Sequence, residues 1–148
     1  MYQLVNFFVP AVVFVSILDK YNEFNINFFD KRFFVQIALL YIIGVILCRI
    51  GSLIVQPIME MLRIINMKEY NKYLKYSDDT IKKMQRTANE YRTYTAMFFL
   101  LMLITQNDKT LLYTFLTLLF GVSYKKQLDF IQQRLVYNYN KEAVKWEF

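Results

Sequence analysis

The sequence predicts an all-α integral membrane protein: a four-helix bundle with both termini in the cytoplasm (N-in/C-in) and with helices 2–4 extended into a short cytoplasmic helical stalk. Three observations support this fold class. The 148 residues are 56% hydrophobic with a positive mean hydropathy, which soluble helical domains seldom show. Four long stretches carry almost no charge. The basic residues concentrate between the second and third stretches and after the fourth.

The first transmembrane hairpin is predicted over 1–59, with spans at about 3–18 and 33–56. A hydrocarbon core of ~30 Å needs about 20 helical residues, so the second span is ample. Pro10 lies inside the first span, where it would kink the helix. We expect a retained first helix rather than a signal peptide, because no basic segment precedes the apolar run and no small-residue cleavage site follows it.

The second transmembrane hairpin is predicted over 93–124, with spans at about 93–107 and 110–124. Each span is short by a turn or more for a ~30 Å core. Both can still cross if the bilayer thins or if flanking Arg92 and Lys125 extend to the headgroups. A re-entrant or half-buried hairpin is the alternative.

The distribution of cations predicts the orientation. Thirteen of the 18 Lys and Arg residues lie in 60–92 and 125–148, against three in the 19–32 loop and one in the turn at 106–109. Since cytoplasmic segments carry the excess of basic residues, both termini and the central segment should be cytoplasmic. The predicted location is the plasma (inner) membrane, as a multi-pass protein.

Two segments should form the cytoplasmic stalk: a basic helical segment at 60–92 and a C-terminal helix and tail at 125–148. Gln56-Pro57 should bend the end of the second span. A helix is then expected from Glu60 to Tyr76.

Ser77-Asp78-Asp79 supplies an N-cap and a negative first turn for a helix that should run without interruption into the third span. Apolar residues then recur at steps of three and four on this helix and on the last one. This predicted stalk seam contains Ile81, Met84, Ala88, Tyr91, Leu128, Ile131 and Leu135. A stalk this small would be only marginally stable in a single copy. We therefore expect a homo-oligomer.

Small residues in the second span predict a close helix contact. Gly44, Cys48 and Ser52 recur at every fourth position, with Gly51 beside them. Packing of small residues holds helices together in lipid, so this small-residue face should be a helix-packing or oligomer face. A hinge or a pore lining is the alternative. Cys48 should be buried and inert.

Arg49 is the one charge inside a predicted span. It lies about 24 Å along the helix from Phe33, near the cytoplasmic interface, where its side chain can extend to the headgroups. Two alternatives remain open. Arg49 could pair with an acidic residue such as Glu60 of a neighbouring copy, or line a polar conduit.

The cytoplasmic segment carries a basic patch with tyrosines interleaved. Its cations are Lys72, Lys75, Lys82, Lys83 and Arg86. Juxtamembrane cations attract anionic lipid by about 1 kcal/mol each. Anionic lipid is therefore the expected partner, ahead of RNA or an anionic second messenger, which the same residues could also bind.

The composition excludes most enzyme classes. The chain has no His, one Cys and three Gly, so it lacks a His-activated nucleophile, imidazole metal ligands, an internal disulfide and a Gly-rich phosphate loop. Asp78-Asp79 and Asp108 suit a helix cap and a turn better than acid–base chemistry. We expect no enzyme activity, no cofactor and no metal.

Over 77–134 the order of parts is a basic helix with Arg86 and Tyr91-Arg92, a short hairpin and a trailing helix. This order resembles small multi-helix membrane effectors of bacterial antiphage systems, including SLATT-type domains and membrane accessory proteins of CRISPR loci. The first hairpin departs from the two-helix SLATT pattern. The resemblance implies membrane disruption or conduction rather than enzymology.

The expected function is therefore an oligomeric membrane-perturbing or pore-forming effector, in antiphage defence if the resemblance holds, gated through its cytoplasmic helices. Polar residues in the second hairpin favour it: Thr95, Thr105, Gln106, Asn107, Thr110, Thr114 and Thr117. The alternative is a non-catalytic anchor or scaffold that recruits a cytoplasmic or membrane partner.

Overall fold

The computed structural model describes residues 2–20, 33–105 and 108–145, and this part of the chain is all-helical without strands. The predicted all-α fold class is confirmed at this level. Helix α1 (Tyr2–Lys20) lies against α2 (Phe33–Ile50). Pro10 is fully buried inside α1.

The second apolar stretch forms one helical rod in three parts. Helix α2 leads into a π-helical turn (Gly51–Val55) and then into α3 (Gln56–Met61), whose second residue is Pro57. The Gln56 N–H donates to the carbonyl of Gly51, five residues back. A π-turn is a common way to accommodate a helix break, and here it directly precedes the proline. The sequence predicts a bend at Gln56-Pro57, and the irregularity that the structure shows is the π-turn just before this pair.

Val35–Met61 is long and apolar enough to cross a membrane, and it is the single such helix in the described part of the chain. The apolar stretches of the predicted third and fourth spans lie instead on helices that continue into charged sequence. These are α5 (Asp79–Ile104) and α6 (Thr110–Lys145). The prediction that the third-span helix begins near Ser77 and runs without interruption is confirmed, although the helix ends at Ile104. Residues 106 and 107 lie outside the described part.

The prediction of one helix from Glu60 to Tyr76 is wrong. The rod ends at Met61, and α4 (Met67–Tyr73) with a short 3₁₀ turn (Leu74–Tyr76) forms a separate element. Arg63 adopts a left-handed conformation with φ of 56°. Its N–H donates to Glu60 and that of Ile64 to Met59, each at 2.9 Å. This is the Schellman pattern, with arginine where glycine is usual.

The N-cap predicted for α5 is confirmed. The Asp78 carboxylate accepts a 2.7 Å hydrogen bond from the Ile81 N–H. Helices α5 and α6 then pack along each other and form the largest helix pair of the described structure. Two buried clusters hold the helices together. One joins α3, α4, α5 and α6 in the polar half of the protein, where α5 and α6 carry their charged residues. The other joins α1, α2, α5 and α6 in the apolar half, where α5 and α6 are uncharged.

Candidate functional site

A polar junction lies where the charged and uncharged halves of α5 meet, and Arg92 is at its centre. Its Nη1 donates a 2.7 Å hydrogen bond to Gln56 Oε1. Tyr124 on α6 lines the same small cavity as the guanidinium. The Arg92 Nε is buried and has no hydrogen-bond partner in the described part of the chain. The Arg92 side chain therefore lies where three helical elements meet: α3, α5 and α6.

The absence of a side chain at Gly51 permits this arrangement. A Cβ atom at Gly51 would lie 3.2 Å from the Arg92 carbonyl oxygen and 3.3 Å from its Cγ. These distances are tighter than ordinary van der Waals contact. The π-turn that starts at Gly51 thus passes directly against the backbone of α5. It carries Gln56 to the position where the Arg92 guanidinium reaches it.

A small cavity of about 140 Å³ adjoins the guanidinium. Its polar lining comes from four elements: Gln56, Tyr70, Gln85, Asn89, Arg92 and Tyr124. We refer to these six residues as the Arg92 junction. Gln85 Nε2 lies 2.7 Å from the Tyr70 hydroxyl, so α4 is tied to α5 at the same level.

The junction suits hydrogen bonding rather than proton transfer. Burial raises the pKa of the Tyr70 phenol above its ordinary value near 10, and the hydrogen bond with Gln85 opposes this only in part. Tyr70 is therefore neutral at physiological pH. An arginine stays protonated throughout the accessible pH range. The site offers a fixed positive charge with amide and phenol groups around it.

A second polar contact closes the far end of the polar half. Arg134 Nε and Nη2 each lie 3.2 Å from Asp78 Oδ2. Asn138 donates to the carbonyl of Tyr76 at 3.1 Å. The pKa of the Asp78 carboxyl is held below its ordinary value, chiefly by the Ile81 N–H and then by Arg134 and Asn138. The cap of α5 is thus bound to α6.

The small-residue face packs helices within the chain. A Cβ at Gly44 would overlap the backbone carbonyl of Phe7 on α1. Gly51 faces Arg92 on α5, and the Ser52 hydroxyl bonds the carbonyl of Cys48 at 3.3 Å. Cys48 is half-buried rather than buried as predicted. The glycines of this face are therefore occupied by contacts inside one copy.

Arg49 and Glu60 are both exposed and lie far apart on one rod. Eleven positions of helix separate them by about 17 Å, so they do not pair within a chain. A pair between copies stays a prediction.

The basic patch lies on three consecutive elements. Lys72 and Lys75 sit over the rings of Tyr73 and Tyr76, at 5.3 and 4.9 Å. Lys82 pairs with Asp79 at 3.1 Å, at the start of α5. Lys83 and Arg86 follow on α5, and all five cations are exposed.

The structure brings the predicted stalk seam into one buried cluster. Ile81, Ile131 and Leu135 are fully buried there. Ala88 and Leu128 are buried with them, while Met84 and Tyr91 are partly buried against the cluster. The cluster also includes residues that the sequence did not indicate: Val55, Met59, Ile65 and Tyr70. The seam is therefore a joint of four helical elements rather than of two.

The threonine hydroxyls named in the sequence analysis all bond to backbone carbonyls. Thr110, at the start of α6, donates to the carbonyl of Thr105 at 2.9 Å, and the others bond one turn back along the chain. Thr95, Thr114 and Thr117 each donate at 2.8 Å to the carbonyl four residues earlier. Thr105 does so at 2.6 Å. Their polar groups are thus satisfied without water. Gln106 and Asn107 lie outside the described residues.

The sequence did not identify Arg92 as a site residue, because its partner Gln56 is 36 positions away. The available signal was a lone arginine at the boundary between charged and uncharged helix. No protein-family model matches the chain, and neither a curated protein nor a solved structure matches it significantly. Residues 2–20, 33–105 and 108–145 thus form an all-helical structure, and one helix among them is long and apolar enough to cross a membrane.

Proposed function

We propose that the chain is an oligomeric membrane-perturbing or pore-forming effector, gated through its cytoplasmic helices. In this proposal it is a multi-pass protein of the plasma (inner) membrane with both termini cytoplasmic. The proposal includes no catalytic step, cofactor or metal. The observation that carries it is the continuity of α5, which runs unbroken from its cap at Asp78, through Arg92, to Ile104.

The exposed apolar surface supports a membrane location. In the most apolar part of Val35–Met61, 17% of residues are buried inside the protein. The core helix of a soluble protein would be mostly buried. Helix α6 adds exposed apolar side chains, among them Leu111, Leu118 and Val122 at 81%, 64% and 65%. Surfaces of this kind contact lipid or a partner rather than water.

The short second hairpin suggests how the bilayer would be perturbed. The uncharged part of α5, 93–104, is about 18 Å long, against a hydrocarbon core of ~30 Å. A short span is accommodated by thinning the bilayer or by oligomerisation. Both outcomes favour a protein that distorts the membrane around a cluster of copies. A re-entrant hairpin is the alternative to a short span.

The Arg92 junction would couple the stalk to the membrane. Because Arg92 bonds Gln56 on α3 and because α5 packs along α6, a shift of α5 in the stalk would move α3 and α6 with it. Rigid displacement of packed helices is an established form of switching. The threonine hydroxyls are satisfied by backbone carbonyls of the same chain, so a water path would have to form between copies. The exposed basic patch would hold anionic lipid beside the stalk.

The test is expression in bacterial cells with a membrane-potential dye. Wild type should depolarise the membrane. Arg92→Met and Gln56→Met, which remove opposite ends of one hydrogen bond, should reduce depolarisation at equal amounts in the membrane fraction. Lys141→Met is the control, since it removes an exposed cation of α6 that lies outside the basic patch, and it should behave as wild type. Membrane-inserted wild type that never depolarises would overturn the effector proposal.

The alternative is a non-catalytic anchor that recruits a partner through the stalk. Exposed aromatic residues on the polar half of α6 favour it: Phe130, Tyr137 and Tyr139 are 47%, 66% and 39% exposed. Aromatic residues are enriched in protein interfaces. An anchor would be silent in the dye assay. It would lose a specific, identified partner when Tyr137 is changed to Ser.

A further inference from the structure

An apolar groove of about 260 Å³ lies between α3 and α6, with α5 as its floor. One wall comes from the rod and the turn after it: Ile54, Val55, Ile58, Met59 and Ile64. The other wall comes from α6: Thr117, Leu118, Gly121, Val122 and Lys125. Thr95 and Phe99 form the floor. We call this feature the α3–α6 groove.

Apart from Lys125 at one end, the described side chains that line the groove offer no free hydrogen-bond donor. The hydroxyls of Thr95 and Thr117 donate to the carbonyls of Tyr91 and Tyr113, each at 2.8 Å. Gly121 leaves open space, since a Cβ there would meet its nearest neighbour, Thr95 Cγ2, at 3.9 Å. The volume is below the roughly 300–1,000 Å³ of pockets that enclose a whole small molecule. A segment of hydrocarbon chain fits these properties.

One charged side chain lines the groove, and it stands at the end nearest the polar half. Lys125 lies one helical turn beyond Gly121 and makes no ion pair with another described residue. Asp129, one turn further on, lines a different surface with Gln132 and Gln133. The neighbouring Lys126 is turned elsewhere, with its Nζ 5.9 Å from the centre of the Phe130 ring. The groove therefore combines an apolar body with one unpaired cation at its rim.

We propose that the α3–α6 groove binds an anionic phospholipid, with an acyl chain in the groove and the headgroup phosphate on Lys125. This inference rests on the proposed membrane location. In that orientation Lys125 stands at the cytoplasmic surface, where anionic headgroups are found and where basic pockets between helices bind them. The apolar lining matches an acyl chain and the single cation matches an anionic headgroup, whereas a second copy of the chain is the competing occupant that the experiment below distinguishes.

The experiment uses the full chain in nanodiscs of phosphatidylcholine. Trp146→Phe with Phe99→Trp places a single tryptophan at the floor of the groove. Brominated phosphatidylglycerol and brominated phosphatidylcholine are then compared as quenchers at equal mole fraction. We expect about a fivefold preference for the anionic lipid, as one cation near the headgroup level provides.

Three variants define the site. Lys125→Gln should abolish the preference for phosphatidylglycerol, while Lys126→Gln, the matched control, should keep it. Gly121→Leu should fill the groove and reduce quenching by both lipids. Equal quenching by the two lipids in the protein with Trp146→Phe and Phe99→Trp alone would overturn the proposal, as would a loss of preference in Lys126→Gln as large as in Lys125→Gln. Quenching by neither lipid, with cross-linking of two copies through the groove, would assign it to a second copy and also overturn the lipid site.

Failure of the membrane proposal gives a different result. A chain that does not enter nanodiscs and does not float with vesicles is not a membrane protein. A chain that enters both and shows no lipid preference refutes the groove site alone.

Discussion

The Arg92 guanidinium donates a 2.7 Å hydrogen bond to Gln56, which joins α5 to α3 across 36 positions of sequence. The bond is formed where the rod changes from a π-turn to an α-helix. Gly51 makes it geometrically accessible, because a side chain there would crowd the backbone of Arg92. The irregular turn and the polar junction are thus one structural feature.

Removal of the Arg92 side chain should destabilise the protein. Arg92→Met leaves the Gln56 side chain without its partner, and a buried polar group left unpaired costs about 1–3 kcal/mol. We expect the free energy of unfolding to fall by about 2 kcal/mol. Thermal unfolding followed by circular dichroism in detergent measures the change. Arg86→Met should match wild type, and an equal Tm for both variants would contradict the junction.

Two glycine substitutions should have opposite effects. Gly44→Ala places a Cβ against the Phe7 carbonyl and must push α1 away from α2, with an expected loss of about 1–3 kcal/mol. Gly121→Ala meets nothing closer than 3.9 Å and should stabilise α6 by up to about 1 kcal/mol, because alanine is the better helix former. Chemical unfolding of both variants in the same detergent tests the pair. Equal destabilisation by the two substitutions would contradict the close contact at Gly44.

Asp78 should make stability depend on pH. Its pKa is lowered in the folded state, so its charged form adds stability at pH values above its unfolded pKa of about 4. That contribution is lost as the pH falls through the lower folded pKa. Asp78→Asn keeps a good N-cap residue while removing the charge. We expect it to lower the Tm at pH 6 and to match wild type near pH 2.

Asp79→Asn is the control for this experiment. Asp79 is exposed and pairs with Lys82 one turn away on the same helix, a contact of small energetic value. Its substitution should leave the Tm nearly unchanged across the same pH range. A pH-independent difference between Asp78→Asn and wild type would show that the carboxylate charge does not contribute.

Local signals in the sequence were sufficient to predict where α5 and α6 begin. Asp78 caps α5 because its side chain reaches an N–H three residues ahead, and Thr110 starts α6 directly after a charged turn. The buried positions of the α5–α6 pair followed from their spacing of three and four. Each of these features depends on residues within one or two helical turns.

The break after Met61 could not be found in this way. Schellman turns usually have glycine in the left-handed position, and here Arg63 occupies it at a cost of about 1–2 kcal/mol. Ile65 and Tyr70 become buried in the cluster of the polar half only because the chain turns back. Their burial stabilises a turn that the local sequence disfavours. Similarly, the neighbours of Arg92 are set by how three helices pack.

Arg49 provides a final test of how the proposed effector works. Its side chain is exposed on α2 and makes no hydrogen bond or ion pair with the described part of the chain. If it only extends to the headgroups, Arg49→Leu should insert normally and depolarise the membrane as wild type does. Gly44→Leu should abolish the activity in the same assay, because it separates α1 from α2.

A loss of activity in Arg49→Leu would instead give Arg49 a role between copies. Glu60→Gln then decides which role, since Glu60 is the exposed carboxylate at the end of the same rod. If Arg49 pairs with Glu60 of a neighbour, Glu60→Gln should reduce depolarisation to the same extent, and the double variant should be no worse than either single variant. If Arg49 lines a conduit, Glu60→Gln should leave the current unchanged, while Arg49→Lys should preserve conduction and Arg49→Gln should alter its preference for anions.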